Sequence, residues 1–180
     1  MKRILDHYTK EQIKRASAVR AVFFEASGVF TDGKITYDDA GKETVSFSGK
    51  DGRIFGYLKR AGIVVGVISS RESAVINKRC SDLGLDFCHQ GMIDKLSVFD
   101  KLTEHYKLKA REVAFIGCDL DDLVVLGLAG MAVCPADAPP YIKDRVELVT
   151  SAKAGRGVVR EVADLVLAAR GEFEKLLLVK

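Results

Sequence analysis

Apolar and polar stretches alternate along the chain in a way that predicts strands and helices in turn. Residues 21–25 read AVFFE, a continuous apolar run typical of a strand buried on both faces of a parallel sheet. Further strand-like runs follow at 64–69, 86–90, 112–117 and 131–134. The stretches between them predict helices around 51–61, 72–83, 94–106, 121–129 and 158–169. Strands alternating with helices favour an α/β fold built on a doubly wound, mainly parallel sheet.

Residues 1–47 add two features to this pattern. Thr9-Lys10-Glu11-Gln12 is similar to a capping box, so a helix is expected over about 10–18 in an N-terminal helical extension of residues 1–20. KITYDDAGKETVSF (34–47) contains two strand-like arms around an Asp-Asp-Ala-Gly turn, which predicts a β-hairpin.

The C-terminal part, 151–180, begins with the glycine-rich segment SAKAGRG and is expected to end in helices. A terminal helix over about 172–180 would carry an apolar stretch, Leu176 to Val179, whose packing partner the sequence does not decide. No long linker or repeat interrupts the chain, so residues 1–180 are interpreted as a single domain.

Composition and charge exclude several classes of partner. The net charge is only +3, with acids and bases interspersed, which gives no electrostatic reason to expect nucleic acid or a membrane surface as a partner. No apolar run approaches the length of a membrane span, and the N-terminus lacks the apolar core of a signal peptide. The four cysteines form no CxxC pair, so reduced thiols in the cytoplasm are expected.

The loops that follow the strands carry the candidate chemistry. In an open α/β sheet, right-handed crossovers place these loops along one edge, where ligands bind. The polar residues expected there are Glu25, Ser27, Ser69, Ser70, Arg71, Asp94, Lys95, Asp119, Asp121, Asp122 and Asp137, with Cys118 among them. Magnesium prefers carboxylate oxygens, whereas phosphate prefers hydroxyls, backbone N–H groups and lysine. The set therefore predicts a metal-assisted phosphoryl site.

Each element of this set also has a simpler interpretation. Ser69 and Ser70 could cap the next helix, and Asp121 and Asp122 could be first-turn acids favoured by the helix dipole. Lys95 taken alone is more often a solvated side chain. Their shared position after strands, in this order, favours the functional interpretation.

The motifs resemble those of the haloacid dehalogenase superfamily, and more narrowly those of small phosphatases of the 3-deoxy-D-manno-octulosonate 8-phosphate type. Similar domains act on nine-carbon sugar-acid phosphates, and one forms the C-terminal part of animal CMP-sialate synthetases. The resemblance covers about 22–167 and implies a Rossmann-like fold with the hairpin as a small flap and no large cap domain. It is carried by 25–29, 31–33, 50–52, 69–71, 90–95, 117–122 and 154–161.

The resemblance implies a role for each matching position. Glu25 stands at the nucleophile position, Ser27 at the acid/base position, and Ser69 and Lys95 at phosphate-binding positions. A family Mg²⁺ would be held at Glu25, the Ser27 backbone carbonyl and the Cys118 position, with further acids nearby. Those further acids are Asp119 and Asp122, and the flap or substrate rim would include Asp32, Asp51, Arg71 and Arg156.

The chain departs from the family at three side chains that carry the chemistry, since Glu25, Ser27 and Cys118 all replace aspartates. Glutamate moves its carboxylate forward by roughly 1.5 Å, and a misplacement of ~1 Å can cost about a hundredfold in rate. A serine hydroxyl is a poor general acid or base near neutral pH, and losing such a group costs roughly 10²–10⁴ in rate. Sulfur is a ligand that magnesium disfavours.

Two main functions follow from this mixture. The first is a protein of phosphatase fold with little or no activity, serving as an oligomeric structural protein or as a binder of a phosphorylated or anionic sugar acid. The alternative is an active Mg²⁺-dependent phosphatase for a 3-deoxy sugar-acid phosphate that uses the altered residues. A thiol enzyme built on Cys118 is a third and weaker interpretation, since the residue after an apolar strand is typically a partly buried thiol.

The resemblance also implies self-association. The family usually forms homotetramers in which the hairpin flaps project towards neighbouring subunits, and the hairpin and Arg156 are retained here. The simpler alternative is a solvent-facing ribbon, but an isolated two-stranded hairpin is only marginally stable. Copies of the chain itself, joined as a tetramer in the family's manner, are therefore the expected partners.

Overall fold

The computed structural model describes residues 2–178, with the side chains of residues 4–175. The helices are α1 (Lys2–Leu5), α2 (Lys10–Ala18), α3 (Gly49–Arg60), α4 (Ala74–Asp82), α5 (Lys95–His105), α6 (Leu123–Leu126), α7 (Pro140–Lys143), α8 (Val158–Ala169) and α9 (Glu172–Leu178). The strands are β1 (Ala21–Phe24), β2 (Thr36–Tyr37), β3 (Glu43–Thr44), β4 (Val64–Ile68), β5 (Phe87–His89), β6 (Val113–Ile116), β7 (Met131–Cys134) and β8 (Leu148–Val149).

The main sheet within these residues has six parallel strands in the order β5-β4-β1-β6-β7-β8. Strand β1 is central, and its last residue, Phe24, lies level with Val67 of β4 and Ile116 of β6. On one side of β1 the chain adds β4 and then β5, and on the other side it adds β6, β7 and β8. The carboxyl ends of these three strands therefore meet at a topological switch point, where open α/β sheets bind ligands. The prediction of a doubly wound parallel sheet is confirmed.

Helices cover both faces of this sheet because the strands are apolar on both sides. The four residues of β1 are all buried, and successive side chains enter opposite layers. Phe24 stacks on Phe55 of α3 on one face, with ring centroids 5.8 Å apart. On the other face Phe23 packs edge-on against Phe87 at 4.9 Å and against Phe99 of α5. This double packing fixes where β1 ends and the site begins.

Most predicted elements are found, with differences in extent. The capping box at Thr9 and Gln12 is present, and the hairpin pairs Thr36 with Thr44 over a shorter ladder than the 34–47 segment. The expected helix over 121–129 is wrong in extent: a single tight turn at Leu120–Asp122 is followed by α6 alone. Near its end, Gly130 passes so close to Arg111 that a Cβ would lie 2.1 Å from the Arg111 carbonyl oxygen.

The remaining differences lie towards the C-terminus. Strand β8 and helix α7 were not expected, since each is too short to show a periodic pattern. Helix α8 matches the predicted 158–169. Helix α9 begins at Glu172. The side chains of Leu176–Leu178 and all of Val179 lie outside the described residues, so the expected apolar stretch at the end of this helix is not described.

Candidate active site

Four segments bring buried polar side chains together at the carboxyl end of the sheet. Glu25 follows β1, Ser69 follows β4, Lys95 opens α5, and Asp122 lies in the turn after β6. Glu25 is 5% exposed, Lys95 1%, and Ser69 and Asp122 are fully buried. Buried polar groups are stable only when they are hydrogen-bonded or paired. The following contacts show which partner stabilises each of these side chains.

The Glu25 carboxylate is fully engaged by neighbouring groups. Its Oε1 accepts hydrogen bonds from the backbone N–H groups of Ala26, at 2.7 Å, and Ser27, at 3.2 Å. The same oxygen accepts from the Ser69 hydroxyl at 2.5 Å, while Oε2 accepts from the Lys95 ammonium. Three donors on one oxygen and an ammonium on the other hold this carboxylate in one orientation.

Lys95 is the central cation of the site. Its Nζ lies 2.6 Å from Asp122 Oδ1 and 3.0 Å from Asp121 Oδ2, in addition to its contact with Glu25. Burial opposes the ammonium charge, but the carboxylates of Asp122 and Glu25 outweigh it and raise the pKa of Lys95 above its ordinary value. Lys95 is thus a buried, charged residue, and the alternative that it is solvated is wrong.

Asp122 organises the turn after β6. Its Oδ2 accepts hydrogen bonds from the backbone N–H groups of Cys118, at 2.7 Å, and Asp119, at 3.1 Å. A Cβ at Gly117 would lie 2.6 Å from the Asp122 Cβ, so the turn needs glycine there. Burial raises the pKa of Asp122 to about 6 even though Lys95 acts in the opposite direction. Asp119 itself is exposed and caps the turn through Leu120 N–H at 2.7 Å.

Ser27, in the loop after β1, contacts Cys118, in the loop after β6. The Cys118 thiol donates a weak hydrogen bond to the Ser27 carbonyl oxygen at 3.3 Å. The same sulfur would lie 2.7 Å from a Cβ at Gly28, whose φ of +81° already favours glycine. Burial, and then the charges of Asp122 and Glu25, raise the pKa of the Cys118 thiol. The thiol is therefore protonated, which argues against a nucleophilic Cys118.

A group of acids at the site could hold a cation. Glu25, Asp121 and Asp122 each offer one carboxylate oxygen, and these oxygens lie within 4.8 Å of one another. The Lys95 ammonium already lies within hydrogen-bonding distance of all three side chains. Asp121 also accepts a hydrogen bond from Ser70, which shows that this serine belongs to the site and does not cap α4. The cap of α4 is Ser73.

The hairpin is tied down beside the site through a residue that the sequence did not single out. Glu43 of β3 receives the Arg71 guanidinium, with Nη1 3.3 Å from Oε1, and the Ser73 hydroxyl at 2.6 Å. The hydrogen bonds from Ser73 and Arg71 lower the pKa of Glu43. A glutamate in a hairpin arm has no local signal for this contact, because the partners lie some 30 residues further on.

Two of the predicted rim residues lie where the glycine-rich C-terminal segment packs. Asp32 sits in the turn after the first loop, where its carboxylate accepts from Lys34 N–H at 3.1 Å. A Cβ at Gly155 would lie 2.4 Å from the Asp32 nitrogen, so the two loops are in close contact. Arg156 is exposed, and it lines a cavity of about 940 Å³ that Glu25 and Lys95 do not line.

The expectation that Asp51 lies on the substrate rim is wrong. Asp51 is fully buried, and its Oδ1 accepts the backbone N–H of Arg160 at 2.7 Å. It thereby caps the N-terminus of α8, where the preceding residue, Gly157, has no side chain to do so. Its Oδ2 has no hydrogen-bond partner among the described residues, and burial raises the pKa of Asp51 to about 6.

The arrangement described above is that of a haloacid dehalogenase-like hydrolase, and comparison with known proteins agrees. The sequence model for haloacid dehalogenase-like hydrolases matches residues 74–162. The chain is 34% identical over 163 residues to the 3-deoxy-D-manno-octulosonate 8-phosphate phosphatase KdsC of Escherichia coli strain K12, covering 91% of this chain and 87% of that protein. This chain therefore belongs to the 3-deoxy-D-manno-octulosonate 8-phosphate phosphatase-like family of the haloacid dehalogenase superfamily.

Solved structures give the same result. The phosphatase of Moraxella catarrhalis, in complex with magnesium, phosphate and KDO, superposes with a TM-score of 0.90 at 30% identity, covering 94% of this chain and 98% of that one. The cobalt-bound phosphatase of Haemophilus influenzae superposes with a TM-score of 0.83 at 34% identity, covering 87% and 92%. Among residues 2–178, no helix is long and apolar enough to cross a membrane.

Proposed function

We propose that this chain has little or no phosphatase activity and serves as an oligomeric binding or structural protein of the sugar-acid phosphatase fold. The observation that carries this proposal is the state of Glu25. Both of its oxygens are engaged within the protein, by two backbone N–H groups, Ser69 and Lys95. A family nucleophile must present a free carboxylate oxygen to phosphorus, in line with the leaving group.

The acid/base position supports the same conclusion. Ser27 has a hydroxyl where the family has a carboxyl, and its neighbour across the loop is the protonated Cys118 thiol. Neither group exchanges protons readily near neutral pH, and the absence of a general acid typically costs roughly 10²–10⁴ in rate. Protonation of the leaving group would therefore fall to solvent.

The donor set at the family's metal position does not fit Mg²⁺. The Moraxella relative was solved with magnesium and the Haemophilus relative with cobalt. Here Cys118 supplies sulfur beside the Ser27 carbonyl, and magnesium demands oxygen ligands. The acids that remain, Asp121 and Asp122, surround the Lys95 ammonium. A divalent ion entering this group would have to compete with that resident charge.

Binding of an anion is supported by a second region. The cavity of about 940 Å³ lies between α3 and α8, and it is lined by four basic side chains together with Tyr57 and Phe173. These basic residues are Lys50, Arg53, Arg156 and Arg160. Lysine and arginine recognise phosphate and carboxylate groups, and apolar surface accommodates a carbon skeleton. A phosphorylated or anionic sugar acid fits this chemistry.

Self-association is supported by the hairpin. Its ladder is only two residues long on each strand, and Ile35 and Tyr37 are 42% and 61% exposed. A short ribbon with exposed apolar side chains gains stability by packing on another surface. We expect homo-oligomers, with the tetramer of the family as the reference. A light-scattering mass equal to one chain would refute this part of the proposal.

The alternative, an active phosphatase for a 3-deoxy sugar-acid phosphate, is favoured by one observation. Glu25, Asp121 and Asp122 retain three carboxylate oxygens within 4.8 Å of one another, close enough for one cation. If a metal displaced Lys95 from Glu25, this alternative would regain a carboxylate oxygen that is not occupied by a protein ammonium.

The two functions are separated by turnover and metal binding measured on the same samples. We expect the unaltered protein to hydrolyse 3-deoxy-D-manno-octulosonate 8-phosphate with Mg²⁺ at or near background. The triple variant Glu25→Asp, Ser27→Asp, Cys118→Asp should gain at least about a hundredfold, the rate attributed to a well-placed group. The control is Cys118→Ser, which removes the sulfur without adding a carboxylate. Cys134 is buried, so a Cys134→Asp variant would not be an informative control. Robust turnover by the unaltered protein would contradict the proposal.

A further inference from the structure

The cavity of about 940 Å³ between α3 and α8 carries more positive charge than the neighbouring acids neutralise. Lys50 and Arg53 of α3, and Arg156 of the glycine-rich segment, are exposed cations that form no ion pair with any acid among residues 4–175. Arg160 differs, because its Nε lies 2.8 Å from Asp164 Oδ2. Three of the four basic side chains that line this cavity are therefore available to an anion.

The acids close to these cations are held by other groups. Asp51 Oδ1 accepts the Arg160 backbone N–H at 2.7 Å and so caps α8. The two carboxylate oxygens of Glu161 each accept a backbone N–H group of residues 151–152 at 2.8 Å. Asp164 is paired with the Arg160 guanidinium. The three unpaired cations are thus left without an internal counter-charge.

Two of these cations lie where helix dipoles disfavour them. Lys50 is the second residue of α3, and Arg156 directly precedes Gly157, the N-cap of α8. A helix N-terminus carries partial positive charge, which favours anions and disfavours cations. Both backbones are fixed, since the Lys50 N–H donates to Ser48 Oγ at 3.2 Å and the Arg156 N–H donates to the Lys153 carbonyl oxygen at 3.0 Å. A bound anion would relieve this unfavourable placement of charge.

The rest of the lining is chiefly apolar. Ile54 and Leu167 are buried and Phe173 is half-buried. Within residues 4–175 no carboxylate or amide side chain lines the cavity, and lysine and arginine offer no hydrogen-bond acceptor. The Ser48 hydroxyl already accepts from two backbone N–H groups of α3. Hydroxyl groups of a ligand would therefore find few acceptors here, whereas each methylene group buried would lower Kd about fourfold.

We propose that this cavity binds an amphiphilic anion. Its phosphate, phosphonate or carboxylate group is held by Lys50, Arg53 and Arg156, and its alkyl or aryl body lies against Ile54 and Leu167. The volume of about 940 Å³ falls within the roughly 300–1,000 Å³ of small-molecule pockets. This inference rests on the anion binding proposed above for the cavity, and it narrows the ligand to one with an apolar body.

The test is calorimetric titration of the full chain with butyl-, hexyl- and octylphosphonate, whose carbon–phosphorus bond a phosphatase does not hydrolyse. We expect Kd to fall by up to about fourfold for each added methylene group until the cavity is filled. Octylphosphonate should bind at least about tenfold more tightly than inorganic phosphate, because two buried methylene groups already suffice for that difference. It should also bind more tightly than 3-deoxy-D-manno-octulosonate 8-phosphate titrated under the same conditions.

Variants locate the bound anion. The double variant Arg53→Gln, Arg156→Gln should weaken octylphosphonate binding at least about tenfold, since it removes two charged hydrogen-bond donors. Its control has the same net charge: Arg111→Gln with Arg145→Gln changes two exposed arginines that do not line the cavity and should leave Kd unchanged. Ser69→Ala, at the candidate active site, should also leave Kd for octylphosphonate unchanged.

The other outcomes overturn the inference. A Kd that does not depend on chain length does so, as does octylphosphonate binding that survives in the double variant or is lost in Ser69→Ala. Tighter binding of the sugar-acid phosphate, lost in the double variant, overturns the inference and leaves the anion binding of the proposed function intact. Binding of neither ligand overturns both. The turnover comparison that tests the proposed lack of phosphatase activity is independent of these results.

Discussion

Two buried carboxylate sites in this protein are stabilised in different ways. At the candidate active site, Glu25 and Asp122 share the Lys95 ammonium, and their oxygens also accept hydrogen bonds from backbone and Ser69. At the other site, Asp51 caps α8 with one oxygen, while its Oδ2 has no hydrogen-bond partner in the described part of the chain. The first site is compensated by an opposite charge. The second relies chiefly on a helix N-terminus.

This difference distinguishes the polar cluster at the candidate active site, which an opposite charge stabilises, from a carboxylate that only caps a helix. A buried ion pair resists the loss of either partner, because the remaining charge is left uncompensated. A carboxylate whose burial outweighs the effect of nearby positive charge instead takes up a proton more readily, as the raised pKa of Asp51 indicates. The lysine-centred cluster should therefore respond most strongly to substitution, and the Asp51 cap should respond most strongly to pH.

The largest expected effect is that of Lys95→Met. This change keeps the length of the side chain but leaves Glu25 and Asp122 buried without their cation, which should cost about 3–5 kcal/mol in the free energy of unfolding. Urea unfolding at neutral pH measures it. Lys101→Met, on the exposed face of the same helix, is the matched control and should change stability little. A loss for Lys95→Met no larger than that of the control would show that the cluster is not held by charge.

A smaller effect, distinguished by its pH dependence, is expected for Asp51→Asn. The folded-state pKa of Asp51 lies above its ordinary value, so the folded protein binds this proton more tightly than the unfolded chain does. The associated stability is fully present below about pH 4 and is lost as the pH rises through about 6, by up to roughly 3 kcal/mol. The asparagine variant lacks this titration and keeps an acceptor for Arg160 N–H.

Urea unfolding of both proteins across the range from about pH 4 to about pH 7 tests this comparison. Relative to Asp51→Asn, the unaltered protein should lose stability as the pH rises. Asp39→Asn changes an exposed carboxylate in the hairpin turn and serves as the control. Parallel stability curves for the unaltered protein and Asp51→Asn would contradict the raised pKa.

The smallest effect is expected at the hairpin, where Glu43 and Arg71 form a partly exposed pair. Their side chains are 18% and 27% exposed, so solvent screens the charge and the pair should contribute no more than about 1 kcal/mol. Glu43→Gln retains an acceptor for Ser73 but loses the carboxylate. We expect faster amide hydrogen exchange in the hairpin, residues 36–44, with little change in global stability. Glu104→Gln, an exposed residue of α5, is the control. Unchanged exchange in the hairpin would mean that Arg71 does not anchor it.

The elements that sequence predicted well are those with a strong local signal. Strand β1 is an unbroken apolar run, and α2 begins with a capping box whose two hydrogen bonds are both present. Helix α8 has a wide apolar face and matched its predicted bounds. Strand β8 was missed because two residues cannot show alternation, and α6 was overextended because the apolar residues after Asp122 continue past its end.

The candidate site divides in the same way. The positions of Glu25, Ser69, Lys95 and Asp122 after strands or at a helix start were visible in the sequence, and so was the replacement of three aspartates. The roles of Glu43 and Asp51 were not visible. Their partners, Ser73 and Arg160, lie far away in the chain, and neither contact follows from local spacing.

By itself, the sequence determined the fold class, the family and the chemical identity of the groups at the sheet edge, because these depend on local periodicity and on residue type. The tertiary structure alone decided which partners those groups contact. It places the Lys95 ammonium among three carboxylates, sets the Cys118 thiol against the Ser27 carbonyl, and buries Asp51 beneath α8. Charge compensation depends on distances of a few ångströms between distant segments, and only packing sets those distances.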